Sequence, residues 1–206
     1  MAVLKKLSGA ATSLIAFAPW ILYGFASGFN HWRVAAGGGL ILSLISAAMA
    51  QNRGASLKLM DLTALTFFAI ASVLAIGLRA LWFPAYNAVI VWSCFAIAAW
   101  GSVAIGRPFT AVYARENAPP EFRIHPVFTR LNLLMTLVWC GLMTVNLLLA
   151  ATGVIVGGLF GQVVLGVAIP MALLVGGFIF NSRFPQRYLA QAGFQAGAAT
   201  PKVSSA

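Results

Sequence analysis

Five polar or polarisable side chains recur at helical spacing in the second half of the chain. Their positions differ by four, three, four and three residues, and they are Asn132, Thr136, Trp139, Met143 and Asn146. At about 100° per residue, these five share one face of a helix. An amide has no hydrogen-bond partner in lipid, so we expect this polar stripe to turn towards other helices. The stripe is either a polar binding cleft or a set of structural hydrogen bonds between helices.

A second group of candidate residues lies in the basic segment 107–130, which reads RPFTAVYARENAPPEFRIHPVFTR. Its arginines are Arg107, Arg115, Arg123 and Arg130. Pro108 is expected to start a short helix, and the four arginines are expected to anchor the segment on anionic headgroups. Its aromatic residues would then lie at interface depth, and they are Phe109, Tyr113, Phe122 and Phe128. The segment is either a docking surface for a partner or a connector that follows the membrane surface.

The residue types from which active sites are usually built are scarce. The acidic residues are Asp61, Glu116 and Glu121. We expect Asp61 to cap a helix N-terminus, and Cys94 and Cys140 to be free. His31 and His125 fall on opposite sides of the predicted bilayer, so they do not form a joint metal or haem site. The prediction is a non-enzymatic protein with no catalytic, cofactor-binding or metal-binding residues.

The composition places these residues in a membrane protein. Of 206 residues, 61% are hydrophobic and 8% are charged, against about a quarter charged in a soluble domain. Soluble enzymes, disordered chains and disulfide-rich secreted domains are therefore excluded. The net charge of +10 comes from short basic clusters between apolar runs, which argues against nucleic-acid binding. The expected partner of these charges is a bilayer with anionic headgroups.

Stretches without charged residues define the predicted spans. About 20 apolar residues cross the hydrocarbon core as a helix. The charge-free stretches predict six helices near 9–29, 34–51, 61–80, 86–106, 130–151 and 157–180. The fold is therefore predicted to be an all-α, polytopic transmembrane bundle, with a 24-residue cytoplasmic loop between the fourth and fifth helices. Residues 1–188 form the membrane domain, and 189–206 form a disordered tail.

The distribution of basic residues sets the predicted orientation. With the N-terminus in the cytoplasm, all of the 13 Lys and Arg residues except Arg33 and Arg79 fall on the cytoplasmic side. This asymmetry follows the positive-inside rule and requires an even number of spans. Both termini are therefore expected in the cytoplasm, with the protein in a bacterial inner membrane.

Small residues near the end of the predicted fifth span suggest a close helix contact. Gly153, Gly157 and Gly161 form two overlapping GxxxG spacings. Missing side chains allow two helix backbones to approach closely. The same spacing serves either a homodimer or packing within one chain, and the sequence leaves both open.

Five short segments occur in an order and spacing that resemble one family of bacterial membrane proteins. They are FAPWILYGF at 17–25, LTALTFF at 62–68, GRPF at 106–109, FTRLNLLMTLVWCGLMTVN at 128–146 and SRFP at 182–185. Together they resemble the intracellular septation protein A family over about 14–188. Arg130, Asn132 and Asn146 match the family pattern. The longer segment YARENAPPEFRIHP departs from it, as in a sister group.

The resemblance implies a role in cell division and envelope synthesis through contacts with other membrane proteins. No catalytic residues are established for the family, so no active site is transferred. The expected function is therefore envelope maintenance or septation by partner binding. The alternative is a small transporter of a lipid or metabolite that uses the polar stripe. A transporter should lose activity when the stripe is made apolar, whereas a scaffold should tolerate that change if packing survives.

Overall fold

The computed structural model describes residues 19–20, 22–24, 31–52 and 57–193, and within these ranges it has helices and no strand. The α-helices are α1 (Trp32–Asn52), α2 (Leu59–Ser72), α3 (Phe83–Ala104), α4 (Phe109–Asn117), α5 (Pro120–Arg123), α6 (Pro126–Val156) and α7 (Ile169–Gln191). A π-helical stretch, Val73–Gly77, continues α2, and a second, Phe160–Ala168, precedes α7. The predicted all-α class is confirmed.

Five of these helical stretches are long and apolar enough to cross a membrane. They are α1, α2 with its π-helical continuation, α3, α6, and α7 with the π-helical stretch before it. Their lengths are 21, 19, 22, 31 and 32 residues, against the roughly 20 that the hydrocarbon core requires. These are the features of a multi-pass membrane protein. The predicted first span, 9–29, lies largely outside the described residues, so the count of six stays a prediction.

The predicted 24-residue loop, 107–130, is mostly helical. It contains α4, α5 and the first residues of α6, which begins at Pro126 and not near 130. Proline suits a first helical turn because that turn leaves its N–H groups without helical partners. Pro108 accordingly stands directly before α4, and the His125 Nδ1 accepts a hydrogen bond from the Val127 N–H at the start of α6.

The C-terminal boundary also differs from the predicted one. Helix α7 runs to Gln191, past the predicted domain end at 188. The rest of the predicted tail, 194–206, lies outside the described residues.

The chain divides into two compact units, Met1–Asn87 and Ala88–Ala206. In the second unit, α6 turns back through Gly157, whose φ is +67°. The backbones of Gly153 and Gly161 then touch, because a Cβ on either glycine would collide with the carbonyl oxygen of the other. The structure therefore uses this glycine spacing for packing inside the chain.

The first unit is built around an aromatic cluster on α2. Phe68 is fully buried, and its ring occupies the space that a Cβ at Gly39 of α1 would need. Phe67 packs edge-on against Phe68, with ring centres 5.0 Å apart. Trp20 and Tyr23, both in helical conformation, lie within 5.5 Å of these two rings, centre to centre. Such a pairing of a glycine with a large ring allows α1 and α2 to pack closely.

Candidate functional site

The polar stripe lies on the buried face of α6. All five of its side chains are buried, with Asn132 2% exposed and Asn146 fully inaccessible. This is the inward orientation that the helical spacing predicts. The stripe is therefore not a lipid-facing surface, and its role depends on what each side chain contacts.

Two members of the stripe hold α4 against α6. The Thr110 hydroxyl of α4 donates to the main-chain carbonyl of Asn132 at 2.8 Å. Thr110 Oγ1 also lies 2.8 Å from Thr136 Oγ1. Because the one Thr110 proton is already used, Thr136 donates to Thr110. The Asn132 amide donates to the Phe128 carbonyl at 2.8 Å, so this end of the stripe consists of structural hydrogen bonds.

Helix α4 is fixed at its start as well. The Phe109 N–H donates to the buried Ser102 hydroxyl of α3 at 3.3 Å. Phe109 and Phe128 are both buried within the protein, and their placement at membrane-interface depth stays a prediction. Burial inside the protein removes these rings from water and lipid alike. Tyr113 and Phe122 are half-buried.

The four arginines that were predicted to anchor the segment 107–130 are all exposed. They lie on different helices or between helices of this segment. Arg123 donates from its Nε to the Ala118 carbonyl at 2.8 Å, which ties the residues around α5 together. Arg107 stands before α4, Arg115 in its last turn, and Arg130 in the first turns of α6. Their exposure leaves them accessible to headgroups or to a partner. Their anchoring role stays a prediction.

The middle of the stripe contacts α7. The Trp139 indole N–H donates to Asn181 Oδ1 at 3.3 Å, and its ring meets Phe178 edge-on at 5.3 Å. A Cβ at Gly177 would lie 2.8 Å from Leu142 and 3.2 Å from the Trp139 ring, so the glycine makes room for the indole. Sequence reasoning missed Asn181, although an amide inside an apolar run is itself a signal of a buried contact.

Asn146 differs from the other polar members of the stripe. Neither its Nδ2 nor its Oδ1 has a hydrogen-bond partner within the described residues. It lies on α6 midway between two contacts with the returning helix, Gly153 with Gly161 and Trp139 with Gly177.

Asp61 has a structural role, and the two cysteines are not bonded to each other. The Lys58 main-chain N–H donates to Asp61 Oδ2 at 3.0 Å, which confirms the predicted capping role of Asp61. Cys94 and Cys140 are free, as predicted. The described residues contain no group of three or more His, Cys, Asp and Glu side chains that could hold a metal ion.

No protein-family model, curated protein or solved structure matches this chain. Its function is therefore inferred from its residues and their geometry.

Proposed function

We propose that this chain is a non-enzymatic, multi-pass protein of the bacterial inner membrane that binds membrane-protein partners in envelope maintenance or septation. The observation that carries the proposal is the docking of α4 on α6. A helix held by buried hydrogen bonds on one side presents its other side as an ordered surface. The resemblance to the septation family supplies the proposed process.

The exposed side of α4 and α5 has the mixed chemistry of a recognition surface. It carries charges of both signs and apolar side chains that are not buried, and these are Val112, Arg115, Glu116, Glu121, Arg123 and Ile124. Ile124 is 87% exposed. An apolar residue among charges suits a protein interface, where the apolar contact gives affinity and the charges select the partner. We call these six residues the α4–α5 surface.

The length of α6 supports the same proposal. Its 31 residues extend about 46 Å, whereas the hydrocarbon core is about 30 Å thick. A helix of this length tilts or projects beyond the core. Projection at the Pro126 end would carry the α4–α5 surface clear of the acyl chains, where partner proteins can reach it.

Site-specific photo-crosslinking tests the proposal with a matched pair of positions. Ile124 precedes α6 and Ile155 lies in its last turn, and their exposed fractions are 87% and 85%. A photoreactive residue at position 124 of the full chain in cells is expected to form discrete adducts with membrane proteins. The same residue at 155 is expected to form lipid adducts.

Protein adducts of the same size and yield from both positions, or lipid adducts alone from both, would contradict a specific surface at α4–α5. Thr110→Val provides a second arm, because it removes the hydroxyl that links α4 to both Asn132 and Thr136. Adducts from position 124 should weaken in this variant while the chain stays inserted.

The second candidate is a small transporter of a lipid or metabolite, and Asn146 is the observation that favours it. A fully buried amide without a partner among the described residues is suited to hold a polar ligand. In cells that depend on this chain, Asn146→Leu should abolish function if the stripe binds a transported substrate. Retained function, with the adducts from position 124 intact, would support the scaffold instead.

A further inference from the structure

A groove of about 480 Å³ runs along the first unit between α1 and the π-helical stretch Val73–Gly77. Gly37, Gly38, Ile41 and Ile76 line it, and the missing side chain of Gly37 leaves space beside Ile76. A Cβ at Gly37 would lie 3.4 Å from Ile76 Cδ1, so a larger residue there would fill the groove. The groove is apolar along this part of its length.

Two arginines, Arg33 and Arg79, also line the groove. Both are exposed, and neither has an ion-pair partner within the part of the chain that the structure describes. The guanidinium carbon of Arg33 lies 5.6 Å from the centre of the Trp32 ring. The first unit contains one acidic residue, Asp61. Asp61 lies in the first turn of α2, whereas Arg79 follows the π-helical continuation at the other end of the same span. A whole span separates Asp61 from Arg79, so the counter-charge for the arginine pair must come from outside the unit.

The backbone around the groove is unusual in two respects. Arg79 has a φ of +50°, a conformation that residues other than glycine seldom adopt. The stretch before it is π-helical, and π-helical turns occur frequently at functional sites. Helix α1 begins at Trp32, so the partial positive charge of its N-terminus adds to that of Arg33.

We propose that this groove binds one anionic phospholipid, with its phosphodiester between Arg33 and Arg79 and an acyl chain along Gly37, Gly38 and Ile41. Helix α1 is about 31 Å long, which matches the hydrocarbon core, so Arg33 in its first turn stands at headgroup level. A guanidinium binds phosphate oxygens in a bidentate fashion. The apolar groove continues from the arginines into the level of the acyl chains.

The charge balance selects the class of lipid. Two guanidinium groups that have no ion-pair partner among the described residues attract a headgroup with net negative charge, such as phosphatidylglycerol. They repel the cationic end of a zwitterionic headgroup such as phosphatidylcholine. A free phosphate would use the arginines and leave the apolar groove empty, so the groove favours the lipid.

Native mass spectrometry of the full chain in detergent, titrated with phosphatidylglycerol or phosphatidylcholine, tests the site. One phosphatidylglycerol is expected to bind in preference to phosphatidylcholine. Because each basic residue near anionic lipid contributes about fivefold, Arg33→Gln and Arg79→Gln should each weaken binding about fivefold and together about 30-fold. Arg187→Gln, which changes an exposed arginine near the end of α7, is the matched control and should bind as the wild type does.

A second pair of variants tests the acyl-chain part of the groove. Gly37→Leu should lower phosphatidylglycerol binding by filling the groove. Gly176→Leu should have no effect, since a Cβ there meets nothing within 4 Å. Soluble glycerol phosphate, added as a competitor, should not displace the lipid.

Three results would overturn the proposal. They are equal retention of the two lipids, undiminished phosphatidylglycerol binding by the Arg33→Gln/Arg79→Gln variant, and displacement of the lipid by glycerol phosphate. The last would assign the arginines to a soluble phosphate anion. If Gly37→Leu does not fold, the arginine variants decide the matter by themselves.

Discussion

Replacing Asn146 with leucine is expected to stabilise the protein. The side chain is fully buried, and its two polar atoms have no partner within the described residues. Leucine has the same number of side-chain heavy atoms in the same branched arrangement, so the change removes polarity with little change of shape. Most core substitutions destabilise a protein, which makes this predicted sign a sharp test.

The expected size follows from the cost of an unsatisfied buried polar group, which is about 1–3 kcal/mol. Removing the amide should recover most of that cost. The matched control is Asn132→Leu, on the same face of the same helix and 2% exposed. Asn132 donates to the Phe128 carbonyl, so its loss should cost the net contribution of one hydrogen bond, about 0.5–1.5 kcal/mol. The two leucine variants should therefore change stability in opposite directions.

Equilibrium unfolding of the purified full chain in mixed micelles measures both changes. The free energy of unfolding should rise for Asn146→Leu and fall for Asn132→Leu. If Asn146→Leu destabilises the protein as much as Asn132→Leu does, then Asn146 has a hydrogen-bond partner and the reasoning is refuted.

The remaining predictions concern packing, the α4 contact and topology. Gly39→Ala places a Cβ against the Phe68 ring and should lower the free energy of unfolding by about 1–3 kcal/mol. At Gly101 an added Cβ meets nothing within 4 Å, so Gly101→Ala should raise the free energy of unfolding by up to about 1 kcal/mol. Equilibrium unfolding in micelles compares the two variants. Thr110→Val should cost about 1–2 kcal/mol and increase protease cleavage within α4. In a variant without the native cysteines, Arg115→Cys should react with an impermeant maleimide from the cytoplasmic side, and labelling from outside would disprove the predicted topology.

The sequence predicted best what depends on a single helix. The predicted spans 34–51 and 86–106 lie within three residues of the observed ends of α1 and α3. The spacing of the polar stripe predicted its burial, because helical periodicity alone sets which residues share a face. Asp61 was predicted as a helix cap because the contact is made to the main chain three residues away.

Other features depended on contacts that the sequence does not display. A short helix after Pro108 was predicted inside the segment 107–130, but the sequence did not show that Thr110 of this helix, α4, bonds to Asn132 and Thr136 of α6. The two π-helical stretches were not predicted, since the change of hydrogen-bond register leaves no periodic pattern in so short a segment. The glycine spacing at Gly153 was compatible with a homodimer or with packing inside one chain. In the structure the chain turns at Gly157, and Gly153 packs against Gly161 of the same chain.

The amino-acid sequence by itself determined that this chain is a helical membrane protein with one polar helix face, because hydropathy and helical period are local properties. Only the tertiary structure decided what that face does. Thr110 reaches Asn132 across 22 positions and Trp139 reaches Asn181 across 42, whereas Asn146 meets no partner in the described part of the chain. The pairing of side chains so far apart is set by how helices turn and pack, and a pattern along one helix carries no information about it.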